Sequence, residues 1–157
     1  MDYVPITERN RPRVNALIRE RWLSLAMVVR GEVVDMTKAG GFLALEAGEI
    51  AGLVTYFISG SVMEITSLDS LAQGKGIGTA LLGKAVAAAR EAGCARVTLV
   101  TTNDNIDALL FYQKRGFDMA RLYRDALEVS RKLKPEIPLV GGHGIPLRHE
   151  IEFEMIL

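Results

Sequence analysis

Three glycines spaced two residues apart, Gly74, Gly76 and Gly78, open an Ala- and Leu-rich segment with helical periodicity. Backbone N–H groups in the first turn of a helix lack partners within the helix, and the helix dipole favours an anion there. Glycine allows a phosphate to approach the backbone closely because it carries no Cβ. Gln73 and Lys75 add polar groups to the same turn. The segment therefore predicts a phosphate-binding loop.

Two common phosphate loops do not fit this segment. The dinucleotide fingerprint G-x-G-x-x-G requires a third glycine where this chain has Thr79, and no parallel βα repeat precedes it. The P-loop requires a hydroxyl residue after its lysine, but Ala85 follows Lys84, and this near-match lies inside the predicted helix. Nucleotide hydrolysis and dinucleotide binding are therefore not expected.

A third pattern, Q/R-x-x-G-x-G/A, is met by residues 73–78. A second pattern, N-x-x-A-x-x-F/L-Y-x-K-x-G-F, follows at 105–117 and is met by Asn105, Ala108, Phe111, Tyr112, Lys114, Gly116 and Phe117. In this order and spacing the two motifs resemble those of the GNAT superfamily of N-acetyltransferases. The resemblance is good over about residues 40–125 and weaker at both ends.

The resemblance implies that acetyl-CoA is the co-substrate. Its pyrophosphate is expected on the loop and first helical turn, at Gln73, Gly74, Lys75, Gly76, Ile77, Gly78 and Thr79. The acetyl group and pantetheine arm are expected along the backbone of Thr66, Ser67 and Leu68, with the Leu68 N–H as oxyanion donor. One departure is Leu68-Asp69-Ser70, where the family often has Val-x-Pro, which leaves the shape of that turn open.

The second motif supplies the other candidate cofactor contacts. Asn105 either hydrogen-bonds the pantetheine arm or caps the helix that follows it. Tyr112 is the expected acid for the leaving CoA thiolate, with a core aromatic as the alternative. Phe111 is also expected near the cofactor. Of the two aromatic residues, Phe111 is expected to be the one that fills the core.

Glu64 is the candidate base. Period-two alternation places Val62, Glu64, Thr66 and Leu68 on one face of the strand that leads to the acetyl group. Burial among apolar neighbours raises the pKa of a carboxyl towards the range useful for general base catalysis. The alternative is a glutamate held in a salt bridge or exposed at the strand surface.

The elements that must position these residues alternate between strands and helices. Helix 76–92, closed by Gly93, joins two strands that are expected to be parallel, with a right-handed crossover. The pattern predicts an α+β fold with a central mixed sheet flanked by helices, the GNAT fold that the resemblance implies. Strands are predicted at 3–6, 42–46, 50–58, 61–68, 96–102, 117–123 and 150–157, and further helices start at Thr7 and within 103–117 and 124–134, while 25–40 is ambiguous.

The acceptor amine is expected to meet the late part of the chain. The Pro- and Gly-rich segment within 125–149 predicts a long loop or lid carrying His143 and His149, which either touch substrate or are surface histidines. Acidic residues predict either a rim for a cationic amine or the wet face of a strand. They are Glu32, Asp35, Glu150, Glu152 and Glu154.

Composition narrows the class of protein. With 19 basic and 19 acidic residues among 157, no nucleic-acid partner is expected, and an arginine cluster (Arg9, Arg11, Arg13, Arg19 and Arg21) predicts a solvated helix. No apolar run reaches the length of about 18 residues needed to span a membrane, and the start lacks the core of a signal peptide, so we expect a cytoplasmic protein. The single Cys94 and two histidines predict no metal site.

We therefore expect a single domain, 1–157, that transfers an acetyl group from acetyl-CoA to a small-molecule or peptide amine by direct attack. Transfer of another short acyl group, or non-catalytic CoA binding as a sensor, are the alternatives. An exposed edge at the final strand would allow a homodimer.

Overall fold

The computed structural model describes residues 1–157 and contains nine β-strands and four α-helices. The strands are β1 (Asp2–Pro5), β2 (Ala26–Val29), β3 (Glu32–Asp35), β4 (Gly40–Glu46), β5 (Glu49–Ser59), β6 (Val62–Ser70), β7 (Arg96–Thr102), β8 (Asp118–Tyr123) and β9 (Glu150–Ile156). The helices are α1 (Arg11–Trp22), α2 (Ile77–Glu91), α3 (Ile106–Lys114) and α4 (Ala126–Leu133). Seven strands form a sheet in the order β1-β4-β5-β6-β7-β9-β8, and β2 pairs with β3. This confirms the α+β class with a central sheet and accompanying helices.

The chain folds into two compact units. The first comprises residues 1–25, 35–97 and 157, and the second comprises residues 26–34 and 98–156. The division falls inside β7, whose first two residues belong to the first unit and the rest to the second. The single domain expected from the sequence stays a prediction.

Consecutive antiparallel hairpins build the first unit. β4 pairs with β5, β5 pairs with β6, and β1 pairs with β4, all antiparallel, which confirms strands near the predicted ranges 42–46, 50–58 and 61–68. Ala47 and Gly48 make the first hairpin turn with φ values of 52° and 79°, as a type I′ turn requires. Side chains from α1, α2 and the strands fill the core, including Val14, Ile18, Leu43, Leu53, Met63, Ile77 and Leu81.

The second unit places its last strand in the middle. β9 lies between β7 and β8, and Met119 of β8 is opposite Phe153 of β9. The expectation that the final strand forms an exposed edge is therefore wrong, because β8 takes that position. Residues 118–122 of β8 are exposed, whereas Phe153 is fully buried.

The ambiguous region 25–40 contains a hairpin. β2 and β3 are joined by Arg30 and Gly31, with φ values of 51° and 75°. Asn or Gly is the usual first residue of such a turn, so Arg30 conceals the hairpin in the sequence. A short 3-10 turn, Met36–Lys38, follows.

Helix α1 begins at Arg11, later than the predicted start at Thr7. A local turn occupies the earlier residues, because the Thr7 N–H donates to Asn10 Oδ1 at 2.8 Å and the Asn10 N–H donates to Thr7 Oγ1 at 3.4 Å. None of the four helices is both long and apolar enough to cross a lipid bilayer.

Candidate active site

The predicted site residues fall into two sets, one in each unit. Thr66, Ser67, Leu68, Glu64 and the loop 73–79 lie in the first unit. Asn105, Phe111 and Tyr112 lie in the second.

A β-bulge interrupts β6 at the predicted acetyl site. Thr55 of β5 is opposite Ser67, and the next residue, Tyr56, is opposite Ile65, so Thr66 is the extra residue. A bulge leaves backbone groups unpaired in the ladder and redirects them. Only Thr66 is left without a β5 partner, while Ser67 and Leu68 are opposite Thr55 and Val54, so the Leu68 N–H as oxyanion donor stays a prediction. β6 then stays in register with β5 through Ser70, so the departure at 68–70 does not break the strand.

Three hydroxyl groups fix the bulge in place. Thr55 is fully buried, and its Oγ1 lies 2.8 Å from Thr66 Oγ1 and 2.5 Å from Ser67 Oγ. A hydroxyl donates one hydrogen bond and can accept others, so Thr55 can serve both neighbours at once. Sequence periodicity gave no sign of this contact, because Thr55 lies on another strand.

Glu64 lies before the bulge, opposite Phe57. It is half-buried, as are Val62, Thr66 and Leu68, while the intervening Met63, Ile65 and Ser67 are buried. The predicted shared face does not continue through the bulge. Glu64 is opposite Phe57 and Leu68 is opposite Val54, and these two β5 residues are three positions apart, so Glu64 and Leu68 lie on opposite faces of the sheet. The role of Glu64 as base stays a prediction.

Tyr56, next to the bulge, is a residue that sequence reasoning did not single out. Its ring lies 6.4 Å from that of Phe42 between centroids. Partial burial raises the pKa of the Tyr56 phenol above its usual value, because the charged form is poorly solvated there. The phenol therefore stays protonated throughout the physiological pH range.

The glycine loop has the backbone that its sequence predicts. Gly74 and Gly76 have φ values of 77° and 67°, and the positions where Cβ atoms would stand are open space. Gly76 is the N-cap of α2, no side chain caps the helix, and its first turn contains no acidic residue. Gly78 lies inside the helix rather than in the loop. A helix N-terminus without a side-chain cap, with open space beside its two glycines, is suitable for an anion.

Lys75 does not point freely from the loop. Its Nζ lies 2.9 Å from both carboxylate oxygens of Glu46, at the end of β4. The hydrogen bond from Lys75 lowers the pKa of Glu46, with Coulombic attraction adding to it. The two charges largely neutralise each other, so the positive charge expected of the loop is screened. Gln73 and Thr79 are exposed beside it.

Gly52 of β5 seats the start of α2. A Cβ at this position would stand 2.6 Å from Ile77 Cγ2, 2.9 Å from Leu81 Cδ1 and 3.0 Å from the Asp69 carbonyl oxygen. The absence of a side chain therefore lets the first turn of α2 rest directly on the strand. A glycine inside a strand pattern is the one sequence signal for such a close approach.

Asp69 connects α1 to the end of β6. Arg21 Nε donates to Asp69 Oδ1 at 3.3 Å and Trp22 Nε1 donates to Oδ2 at 3.4 Å. Arg13 donates to the Gly48 carbonyl at 2.8 Å. Arg13 and Arg21 are both exposed, as a solvated helix predicts, and through these contacts they also hold α1 to the strands.

In the second unit, Asn105 caps α3. Its Oδ1 accepts the Ala108 N–H at 3.1 Å, which is the helix-cap alternative of the two expected from the sequence.

Tyr112 is buried and Phe111 is not. Tyr112 is 9% exposed, and its ring lies 5.7 Å from Phe117 and 6.0 Å from Phe153 between centroids. Phe111 is half-buried, with the Arg115 guanidinium 3.7 Å above its ring. The expectation that Phe111 is the better core filler is wrong, because the helix turns Tyr112 inward towards β9.

Three side chains hold the Pro- and Gly-rich segment within 125–149 in place through hydrogen bonds. Asn103 Oδ1 accepts the N–H groups of Arg148 at 3.0 Å and His149 at 2.9 Å. Asp104 Oδ2 accepts the Gly142 N–H at 2.8 Å. Arg131 donates to the carbonyls of residues 137, 138 and 147. The predicted lid is thus a loop with many fixed contacts.

The two histidines differ in role. His149 Nδ1 accepts the Asp125 N–H at 2.9 Å, just before α4, so it supports the fold. His143 is exposed, has a φ of 57°, and lines a polar cavity of about 220 Å³ with Asp104, Asn105 and Asp107.

Two of the three acidic residues of β9, Glu150 and Glu152, do not face solvent. Glu150 is 5% exposed and accepts the backbone N–H of Arg30 at 3.2 Å. Glu152 lies 3.7 Å from Arg30 Nη1 and accepts the Tyr123 hydroxyl at 3.3 Å. The wet-face alternative is therefore wrong for these two residues, because β9 is an interior strand, while the rim for a cationic amine stays a prediction.

Comparison with known proteins gives a consistent family assignment. The family model for acetyltransferase (GNAT) family proteins matches residues 10–117. The chain is 43% identical to the uncharacterized protein YxbD of Bacillus subtilis (strain 168) over 152 residues, 96% of each chain.

Solved structures share the fold. An IAA acetyltransferase from Bacillus cereus ATCC 14579 superposes with a TM-score of 0.74 at 24% identity, covering 99% of this chain and 100% of that one. A Bacillus subtilis acetyltransferase in complex with CoA gives a TM-score of 0.70 at 20% identity, covering 99% of each chain.

Proposed function

The chain belongs to the acetyltransferase (GNAT) family and has the GNAT fold, and from that premise we propose that it transfers an acetyl group from acetyl-CoA to a primary amine by direct attack. The observation that carries the proposal is the uncapped N-terminus of α2, opened by Gly74 and Gly76 in the left-handed conformation. A pyrophosphate is the ligand that such a loop suits best. The Bacillus subtilis neighbour solved with CoA supports the choice of donor.

The proposed reaction has no covalent enzyme intermediate. The neutral amine nitrogen attacks the thioester carbonyl carbon, and the Leu68 N–H stabilises the oxyanion that forms. The C–S bond then breaks, and the leaving thiolate takes a proton from the Tyr112 hydroxyl. Glu64 accepts, through water, the proton that the amine nitrogen loses. Direct attack requires no metal ion.

The first experiment measures release of free CoA thiol with acetyl-CoA and a panel of primary amines. Thiol release that depends on the presence of an amine supports the proposal that the protein is an acetyltransferase. Thermal stabilisation by acetyl-CoA without any turnover would instead identify a non-catalytic CoA-binding protein. Comparing the rates of thiol release from acetyl-CoA and propionyl-CoA tests which acyl group is transferred.

A matched pair of variants tests the loop. Asn and Asp both tolerate the left-handed backbone of Gly76, and both can cap α2. Only Gly76→Asp places a negative charge where the pyrophosphate is proposed to bind. We expect the Kd for acetyl-CoA to rise about tenfold more in Gly76→Asp than in Gly76→Asn. Equal effects of the two variants in a calorimetric titration would contradict pyrophosphate binding at this helix end.

A further inference from the structure

The second unit contains a cavity that none of the proposed catalytic residues uses. Its volume is about 420 Å³, within the usual range of small-ligand sites. Arg30 and Arg124 line it together with the apolar side chains of Leu122, Ala126 and Val129. The walls come from the β2–β3 turn, the end of β8 and the start of α4. Charged and apolar groups are thus combined in one concave surface.

Arg124 is the cation of this cavity without an acidic partner. No carboxylate lies within ion-pair distance of its guanidinium. The neighbouring Asp125 is already engaged, because Arg148 Nη2 donates to its Oδ1 at 3.1 Å. The cavity therefore has an excess of one positive charge at Arg124.

Arg30 is held in place on another wall. Its backbone has a φ of 51°, an uncommon conformation for arginine, and the buried Glu150 accepts its N–H. Glu152 lies 3.7 Å from its guanidinium and also accepts the Tyr123 hydroxyl. This conformation follows from the place of Arg30 in the β2–β3 turn, as for Ala47 in the β4–β5 turn, and it fixes the start of the Arg30 side chain. The carboxylate of Glu152 balances Arg30, so Arg124 alone remains for a ligand.

The apolar walls are exposed. Leu122 is 51% exposed and Val129 is 48% exposed. Gly31 permits this arrangement, because a Cβ there would stand 3.1 Å from Val129 Cγ1 and push the turn away from α4. A ligand with a branched or aromatic body would cover both side chains and gain from the burial of apolar surface.

We propose that this cavity binds a small molecule that carries one carboxylate, paired with Arg124, and an apolar body, packed against Leu122 and Val129. A carboxylate suits the guanidinium because the two make charge-assisted, often bidentate, hydrogen bonds. Resting on the proposed function, the molecule is either the acceptor amine itself or a separate ligand.

Binding is tested with a matched pair of probes, 4-methylpentanoate and its neutral amide, added to the full protein with labelled methyl groups. We expect 4-methylpentanoate to shift the Leu122 and Val129 methyl resonances in a saturable manner. The amide should bind at least tenfold more weakly. Arg124→Gln should abolish the difference between the probes, and Arg124→Lys should retain part of it. Arg121→Gln removes the same charge from β8 outside the cavity and should leave the difference intact.

Absence of methyl shifts, equal binding of acid and amide, or equal effects of Arg124→Gln and Arg121→Gln would each overturn the proposal. Kinetics identify the source of the carboxylate. If it belongs to the acceptor, leucine should be acetylated with a kcat/KM about tenfold above leucinamide, and Arg124→Gln should remove that preference. Methyl shifts without a kinetic preference indicate a separate ligand. Failure of every amine to release thiol would refute the proposed function, while the binding test would still decide this cavity.

Discussion

At the scale of single residues, the motif at 105–117 contains a tyrosine, Tyr112, that has a packing role and a proposed role as an acid. Tyr112 packs among Phe111, Phe117 and Phe153, so its position alone is explained by the core. The ring and the hydroxyl can be separated experimentally, because phenylalanine keeps the ring contacts and removes only the hydroxyl.

Tyr112→Phe is expected to leave the KM for acetyl-CoA within about twofold and to lower kcat about 10²-fold, the usual scale for a lost general acid. The melting temperature should change little because the ring remains packed. Steady-state kinetics and thermal unfolding measure both. Unchanged turnover would remove the acid role from Tyr112.

Glu46→Gln is expected to strengthen acetyl-CoA binding about two- to fivefold, because Lys75 would lose its carboxylate partner and become available to the phosphates. Because the pKa of Glu46 is lowered, the ionised carboxylate that pairs with Lys75 is present above that pKa. The pairing is lost as the pH falls through the pKa. The effect should therefore be constant between about pH 6 and 8 and diminish in acid.

Glu49→Gln provides the control for this prediction. It makes the same charge change across the hairpin from Glu46, without a contact to Lys75. A similar change in the Kd of acetyl-CoA for both variants would show a general field rather than release of Lys75.

At the scale of elements, the N-terminus of α2 depends on a residue outside the helix. Gly52 leaves room for Ile77 and Leu81, so a strand residue determines how closely the start of α2 approaches the sheet.

Gly52→Ala is expected to destabilise the protein by about 1–3 kcal/mol, because its Cβ would overlap Ile77, Leu81 and the Asp69 carbonyl. The KM for acetyl-CoA should rise as α2 shifts. Gly83→Ala is the control: Gly83 is exposed in α2 with open space around it, so alanine should stabilise by up to about 1 kcal/mol. Denaturant unfolding compares the two, and equal stabilities would contradict the close approach at Gly52.

The elements also show what sequence can and cannot predict. The backbone of the glycine loop was predictable because left-handed conformation at Gly74 and Gly76 is a local requirement. The Lys75–Glu46 pair and the Thr55 hydroxyl contacts join residues far apart in sequence, which periodicity does not reveal. The place of β9 between β7 and β8 depends on long-range pairing, and its alternating glutamates imitated a solvent-facing strand.

At the scale of the whole molecule, β7 is divided between the two compact units. Each unit contains part of β7, so both units would be incomplete if β7 were absent. The open sheet edges are β1 and β8, so a homodimer, which stays a prediction, would pair there rather than at β9.

Thermal unfolding is therefore expected to be a single cooperative transition, in keeping with one domain. Differential scanning calorimetry should give equal calorimetric and van't Hoff enthalpies. Acetyl-CoA at 100 times its Kd should stabilise the folded state by about 2.7 kcal/mol. Two resolved transitions, with only one shifted by acetyl-CoA, would indicate two domains.

The central position of β9 also has a consequence for biosynthesis. β8 leaves the ribosome well before β9, yet β9 is its only partner in the sheet. During translation, therefore, Met119 and Leu122 are carried on a strand that cannot yet pair. The nascent chain is expected to expose this strand to chaperones, and to aggregation, until the last strand is inserted.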